Sequence, residues 1–223
     1  MQVSPGRADM AEILRRGTGR LIYDEEDGAL LLSPDGTMLT SDMQDGARLC
    51  TLVRSLCPAV PEVFSLKSAQ AADVLLREFA LHGTMPCTQW VYEKAAPPFP
   101  VTADIRPLTE EYADLAASVY HDGSSGEYIR DRIENGALYG LFEGEALAGF
   151  AGFHGEGSMG LLEVLPAFRR RGYAMQLEAH LITTALRDGH TPYCHVVEGN
   201  EASLYLQRKM GLTCAELPAI WLD

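Results

Sequence analysis

The spacing of apolar and polar positions divides the first part of the chain into short helices and strands. Apolar residues recur at helical spacing in three segments and in short runs elsewhere, with turns of Asp and Gly between them. The pattern predicts helices over 8–16, 46–56 and 69–81 and strands over 20–23, 29–32, 37–40, 60–65 and 89–92. This part of the chain is therefore expected to form a lobe of mixed α and β structure.

The second part starts with a strand at Ile105 and a helix for which Thr109 is the expected N-cap. The pattern then predicts a short helix over 127–134, a hairpin of strands 138–142 and 146–153, a buried strand over 160–165, a helix over 174–188, a strand over 192–197 and a last strand that ends at residue 222. Pro166 ends the buried strand, and Gly189 follows the end of the long helix.

The segment Pro97-Pro98-Phe99-Pro100 separates the two parts. Its three prolines lack backbone donors and disfavour both a helix and a central strand. The expected organisation is therefore an accessory lobe over 1–94, a Pro-rich linker over 95–102 and a domain over 103–223.

Composition and charge exclude several classes of protein. The 223 residues are 47% hydrophobic, which is enough to bury a core, so disorder is not expected. A formal net charge of −13 disfavours nucleic acid and anionic membranes as partners. No apolar stretch could cross a bilayer and the first residues lack a secretory signal, so we expect a cytoplasmic protein. The scattered cysteines and histidines predict reduced thiols and no metal site.

The most informative segment is a basic loop, Arg169-Arg170-Arg171-Gly172, between the buried strand and the long helix. The unpaired N–H groups and positive dipole end at a helix start can bind phosphate oxygens. Gly172 removes a side chain that would block the ligand, and the arginines add a local positive field. The loop thus predicts an anion site, although a solvated basic turn is the alternative.

This segment resembles the phosphate loop of the GNAT superfamily of N-acetyltransferases, Gln/Arg-x-x-Gly-x-Gly/Ala, with Arg169, Gly172 and Ala174 at its defined positions. The family's closing segment is matched by Asn200-x-x-Ser203-x-x-Leu206 and by the strands on either side of it. The similarity covers about residues 103–223. It implies an α/β (α+β) fold with a mixed, mostly antiparallel central sheet flanked by helices, in two tandem lobes.

The resemblance implies an acetyl-CoA-dependent enzyme that transfers acetyl directly to the primary amine of a small molecule or peptide. The strand backbone would pair with the pantetheine arm, and the loop amides would hold the pyrophosphate. A backbone N–H near Val164 would donate to the thioester oxygen. The residues assigned to the cofactor are Leu162, Val164, Arg169, Arg170, Arg171, Gly172, Tyr173, Ala174, Asn200 and Ser203. Asn200 could instead serve as a helix cap alone.

Three residues are candidates for catalysis. Glu163 lies in an otherwise apolar strand and could accept the amine's proton or bind the ammonium. Its side chain could instead point to solvent or pair with an arginine. His195, like His154, could act as a base or through water, or be structural. Many relatives have a tyrosine after the Leu206 position, but this chain has Gln207. Either Tyr173 or a water would then protonate the thiolate, or the thiolate would leave unaided with a modest loss of rate.

The remaining interpretations concern Tyr205, Cys194 and the first lobe. The side chains of Tyr205 and Cys194 are expected to lie in the core. A helix followed by a Trp-bearing strand ends both halves of the chain, so the first lobe is interpreted as a degenerate GNAT-like lobe, or else as an unrelated α/β accessory lobe. It would shape the acceptor cleft or a homodimer surface.

Gln207 also motivates a second function, a module that binds acyl-CoA without turnover. A third is an interaction protein that kept the fold and lost the ligand. The intact basic loop argues against this third reading.

Overall fold

The computed structural model describes residues 4–120 and 125–223 of the chain. They form two compact units. Unit 1 comprises Met1–Val91, His195–Glu201 and Thr213–Asp223, and unit 2 comprises Tyr92–Cys194 and Ala202–Leu212. No helix within the described residues is long and apolar enough to cross a membrane.

Unit 1 is built on a seven-stranded sheet. Its helices are α1 (Ala8–Arg16), α2 (Gly46–Leu56) and α3 (Ala69–Phe79). Its strands are β1 (Arg20–Glu25), β2 (Gly28–Leu32), β3 (Met38–Ser41), β4 (Val63–Leu66), β5 (Thr84–Val91), β11 (Thr213–Leu222) and β10 (Tyr193–Val197), whose first two residues are grouped with unit 2. They lie in the order β1-β2-β3-β4-β11-β5-β10. Among the pairs whose registers are defined, β3 and β4 run parallel and the other pairs are antiparallel.

Unit 2 is built on a four-stranded antiparallel sheet in the order β6-β7-β8-β9. Its strands are β6 (Asp104–Pro107), β7 (Leu138–Glu143), β8 (Ala146–Phe153) and β9 (Met159–Val164). Its helices are α4 (Ala113–Val119), α5 (Gly126–Glu134), α6 (Tyr173–Arg187) and α7 (Glu201–Met210), whose first residue is grouped with unit 1. The expected fold class, a mixed and mostly antiparallel α/β structure, is confirmed.

Each unit has its own apolar core. In unit 1, α2 and α3 pack on the sheet around Leu39, Leu49 and Phe64. In unit 2, α4 and α5 pack on one face of the sheet around Ile129 and Phe150. Burial of these side chains is the main favourable term in holding the helices on their sheets.

Two details of the second half differ from the expectations. Thr109 does not cap a helix: its hydroxyl donates to Glu111, and a 3-10 turn over Glu110–Tyr112 precedes α4. The last strand, β11, pairs with β4 and β5 in the sheet of unit 1, because those strands satisfy its backbone groups on both sides. The domain over 103–223 stays a prediction, because His195–Glu201 and Thr213–Asp223 of that range are grouped with unit 1.

Candidate functional site

β9 is an edge strand of its sheet and carries a bulge. Phe150 of β8 pairs with Glu163, but Gly152 pairs with Gly160, so β9 has one extra residue in this stretch. Leu161 adopts a left-handed backbone with φ of +52° there, and its side chain is buried. Such a bulge interrupts the ladder and redirects the backbone polar groups beside it.

The outer edge of β9 presents backbone groups that its own sheet does not use. The Leu165 N–H donates to the Ala148 carbonyl at 2.9 Å, so the next pair, Val164 with Gly149, lies at a non-hydrogen-bonded position. The N–H and carbonyl of Val164 therefore point away from β8. Arg169 Nε donates to this carbonyl at 2.9 Å, and the N–H lies on the edge where the sequence predicts pairing with pantetheine.

The loop after β9 leads into the uncapped start of α6. Gly172 is the N-cap residue with a left-handed φ of +84°, and no described side chain caps the helix. The strand–helix junction of unit 1 is different, because the Asp45 carboxylate there accepts hydrogen bonds from the Ala47 and Arg48 N–H groups of α2. The first amides of α6 are thus available to an anion, whereas those of α2 are used by a side chain.

An open depression of about 510 Å³ lies at the start of α6. Gln176 closes one side, since its Oε1 accepts hydrogen bonds from the Thr102 N–H at 2.8 Å and the Ala103 N–H at 3.2 Å. The depression is lined by Phe99, Thr102, Ala103, Arg171, Gly172, Tyr173, Met175 and Gln176. The end of the expected linker is therefore part of the wall of this site.

The three loop arginines have different surroundings. Arg169 is bonded to the Val164 carbonyl and to Glu163, and Arg171 is bonded to Glu143 at 2.8 Å. Arg170 has a left-handed φ of +66°, is exposed and has no polar partner among the described residues. All three guanidinium groups are on the surface, where they can exchange these partners for phosphate oxygens.

Tyr173 lies at the phosphate end of the site. It is the first residue of α6, and its hydroxyl donates to Glu143, the last residue of β7. This hydrogen bond raises the pKa of Tyr173, and together with Arg171 it lowers the pKa of Glu143. The position favours a role in shaping the phosphate site, and proton donation to the thiolate by Tyr173 stays a prediction.

Glu163 is partly buried and forms an ion pair with Arg169, whose Nη2 is 3.1 Å from Glu163 Oε1. The sequence left several roles open for Glu163, and in this structure its side chain pairs with an arginine. Because Glu163 pairs with Phe150 of β8, its side chain lies on the face of the sheet that carries α4 and α5.

Other predicted residues lie elsewhere. His195 belongs to unit 1, where Nδ1 accepts from Trp221 Nε1 at 3.2 Å and Nε2 is 2.9 Å from Gln89 Oε1. Both ring nitrogens are used, so a catalytic role for His195 stays a prediction that this geometry does not favour. Asn200 directly precedes α7, and Ser203 lies in its first turn. Within the described residues, no His, Cys, Asp and Glu side chains form a group of metal ligands.

The position at which the resemblance predicts a tyrosine lies on α7 and is occupied by Gln207. Gln207 is buried and bonds to Glu178 of α6, which is fully enclosed. Burial raises the pKa of Glu178 to about 7, and the bond from Gln207 lowers it in part. The expectation that Tyr205 packs in the core is wrong: its side chain is 64% exposed, because it points away from the helix face that carries Gln207. Cys194, by contrast, is buried as expected.

The Glu178 carboxyl makes stability depend on pH. Its folded-state pKa of about 7 lies above the ordinary glutamate value of 4.5, so its stabilising contribution is fully present below pH 4.5 and is lost as pH rises through 7. From pH 6 to pH 8 the free energy of unfolding should fall by about 1 kcal/mol more in the wild type than in Glu178→Gln. Urea titrations at both pH values measure this, with the exposed Glu145→Gln as control. Equal pH slopes in all three proteins would contradict the assignment.

Several residues of the site were not identified from sequence. Glu143 lies 28 residues from Arg171, and Gln176 contacts Thr102 and Ala103, which are 74 and 73 residues away, so these contacts depend on the hairpin and on the path of the linker. The bulge at Leu161 lies opposite a strand with two glycines, Gly149 and Gly152, and glycine within a strand is the signal in the sequence that could have indicated it.

Comparison with known proteins places these features in context. Residues 138–221 match a protein-family model described as FR47-like protein. No curated protein is significantly similar to the sequence.

Solved structures share the fold over most of their length. The X-ray structure of a Drosophila protein has a TM-score of 0.66 at 19% identity, over 87% of this chain and 73% of that chain. A GCN5-related N-acetyltransferase from Kribbella flavida has a TM-score of 0.57 at 14% identity, over 100% and 95%. A GNAT-family acetyltransferase from Colwellia psychrerythraea has a TM-score of 0.55 at 14% identity, over 92% and 83%. At these identities the likeness establishes the fold.

Proposed function

The chain has the fold of the GNAT superfamily, and from this premise we propose that it is an acetyl-CoA-dependent N-acetyltransferase that acts on a primary amine of a small molecule or peptide. The observation that carries the proposal is the start of α6. Gly172 leaves its first amides without a side-chain cap, and three arginines precede it. Uncapped amides, a positive dipole end and guanidinium groups together fit a pyrophosphate.

The edge of β9 supports the same proposal. Its bulge at Leu161 and the outward N–H of Val164 offer donors to an extended amide chain such as pantetheine. Acetyl-CoA would supply an activated acetyl thioester. The chain's own residues would orient it, with Leu162 and Val164 along the arm and Arg169 to Ala174 at the phosphates. Asn200 and Ser203 stay predicted cofactor residues at the start of α7.

Calorimetric titration with acetyl-CoA, CoA and adenosine tests the proposal. We expect micromolar binding of acetyl-CoA and CoA and at least about 100-fold weaker binding of adenosine, because the phosphates carry the recognition. Polyamines, amino acids and peptides with free N-termini would then be tested as acceptors by release of the CoA thiol. Absence of acetyl-CoA binding would contradict the proposed function.

The burial of Gln207 favours one other candidate, a module that binds acyl-CoA without turnover. A glutamine that is buried against Glu178 offers the departing thiolate no phenolic proton. Tight binding of acetyl-CoA with no thiol release over a broad panel of amines would identify this function.

A further inference from the structure

A tyrosine and a histidine form a pair beside β9, at the end opposite the phosphate loop. Tyr128 of α5 and His154, directly after β8, are joined by a contact of 2.9 Å between Tyr128 Oη and His154 Nδ1. Their rings are stacked, with centroids 5.9 Å apart and an angle of 21° between the planes. Tyr128 Oη also accepts a hydrogen bond from the Gly155 N–H at 3.3 Å. The imidazole is thus held in one orientation.

The other ring nitrogen of His154 lies over the backbone of β9. A Cβ atom at Gly160 would come within 2.4 Å of His154 Nε2, so the ring occupies the space that a side chain at this position would fill. Gly160 pairs with Gly152, and Glu163 pairs with Phe150, two residues away on β8. Because residues two apart on a strand share a face, Gly160 and Glu163 lie on the same face, on opposite sides of the bulge.

The distance along the strand suits an extended thioester arm. Val164 and Gly160 are four residues apart, but the bulge adds one of these residues, so their separation matches that of their partners Gly149 and Gly152, about 10 Å along a strand. An arm that starts at the phosphate loop and follows β9 would therefore bring its reactive end to the bulge at Leu161. His154 lies just beyond this point, against Gly160 and on the face of the sheet that also carries Glu163.

The charged groups that face the pair come from α5 and from the turn after His154. The Arg132 guanidinium lies 5.6 Å from the centroid of the Tyr128 ring and is itself bonded to Asp131. The Glu156 carboxylate accepts from the Ser158 hydroxyl. Burial and Glu156 raise the pKa of Tyr128 to about 12, so the phenol stays neutral and can serve as a hydrogen-bond partner at any physiological pH.

We propose that His154 Nε2 accepts the proton of the acceptor ammonium and that Tyr128 is a positioning residue that holds Nδ1. This inference rests on the proposed acetyltransferase function. Nδ1–H would donate to Tyr128 Oη, which leaves the lone pair on Nε2. Nε2 takes one proton from R–NH₃⁺ and later releases it to solvent. The amine then forms the C–N bond, the C–S bond breaks, and the second nitrogen proton ends on the thiolate.

Glu163 is less suited to this step in the structure described here. Its Oε1 is engaged by the Arg169 guanidinium, which also holds the Val164 carbonyl. Proton transfer to Glu163 would disrupt an ion pair at the edge where the cofactor arm is expected. Among the residues that the structure describes, no hydrogen bond or ion pair engages His154 Nε2, so this nitrogen can accept a proton without loss of such a contact.

The test compares two probe amines at several pH values. Spermidine is protonated near pH 7 and must lose a proton, whereas hydroxylamine is neutral there and need not. His154→Gln should lower kcat/KM for spermidine about 100-fold and remove the inflection at which activity rises with pH, with little change for hydroxylamine. Tyr128→Phe should lower the spermidine value about 10-fold, and the acetyl-CoA Kd should be unchanged in both variants. The control is His82→Gln, an exposed histidine of unit 1.

Three results would overturn the inference. His154→Gln could behave like His82→Gln, or it could slow both amines equally, or the pH inflection could persist in His154→Gln and disappear in Glu163→Gln. If the wild type binds no acetyl-CoA or acetylates neither amine, the proposed function fails first and the inference fails with it. If the wild type acetylates the amines and His154→Gln is equally active, only the assignment of His154 as the base is rejected.

Discussion

Replacement of Gly172 by glutamate should weaken acetyl-CoA binding at least about 100-fold. The new carboxylate would stand at the N-terminus of α6, where it would both repel phosphate and accept hydrogen bonds from the first amides of the helix. It would thus close the site in the way that Asp45 closes the start of α2. Calorimetric titration with acetyl-CoA measures the loss.

The matched control for this variant is Gly36→Glu. Gly36 also has a left-handed φ, +80°, and a Cβ built at either glycine meets no heavy atom of the described residues within 4 Å. Both variants therefore carry the same backbone strain, about 1 kcal/mol, and neither creates a clash. A loss of affinity in Gly172→Glu alone would assign the effect to the site. Unchanged affinity in Gly172→Glu would reject the phosphate loop.

Local patterns in the sequence were sufficient for most of the helices and strands. The predicted segments 8–16 and 46–56 coincide with α1 and α2, because amphipathic spacing and terminal residues act within a few positions. The hairpin of β7 and β8 was identified from its short turn for the same reason. β5 begins at Thr84 instead of residue 89, since its first residues are strand only through pairing with β11.

The site was predicted where it depends on chain order and missed where it depends on tertiary contacts. The uncapped glycine and basic loop between β9 and α6 follow each other in sequence, so they could be recognised there. The bond between Arg171 and Glu143 and the pair of Tyr128 with His154 join distant segments. The exposure of Tyr205 likewise depends on which face of α7 is covered, and an aromatic residue alone does not indicate it.

A buried ion pair in unit 1 has the largest expected effect on stability. Lys67, directly after β4, has its Nζ 2.6 Å from Asp9 Oδ2 and 2.7 Å from Gln89 Oε1, and the side chains of Lys67 and Asp9 are 0% and 1% exposed. His195 Nε2 contacts the same Gln89 oxygen at 2.9 Å. The pair joins α1 to the sheet in a region that water does not reach.

Lys67→Met should lower the free energy of unfolding by about 3–5 kcal/mol, because it leaves the Asp9 carboxylate buried without its cation. Urea denaturation at neutral pH measures the change. Arg54→Met is the matched control: Arg54 is also paired, with Glu78 at 2.8 Å, but both side chains are about half exposed. Arg54→Met should lower the free energy of unfolding by about 1 kcal/mol or less.

A double variant separates the loss of the pair from the loss of packing. Lys67→Met with Asp9→Leu removes both charges, so the desolvation cost of a lone carboxylate disappears, and a large part of the lost stability should return. If the double variant is as unstable as the sum of the two single variants, the two charges do not interact. If Lys67→Met lowers the free energy of unfolding by no more than Arg54→Met does, burial of the Lys67–Asp9 pair does not strengthen its contribution to stability.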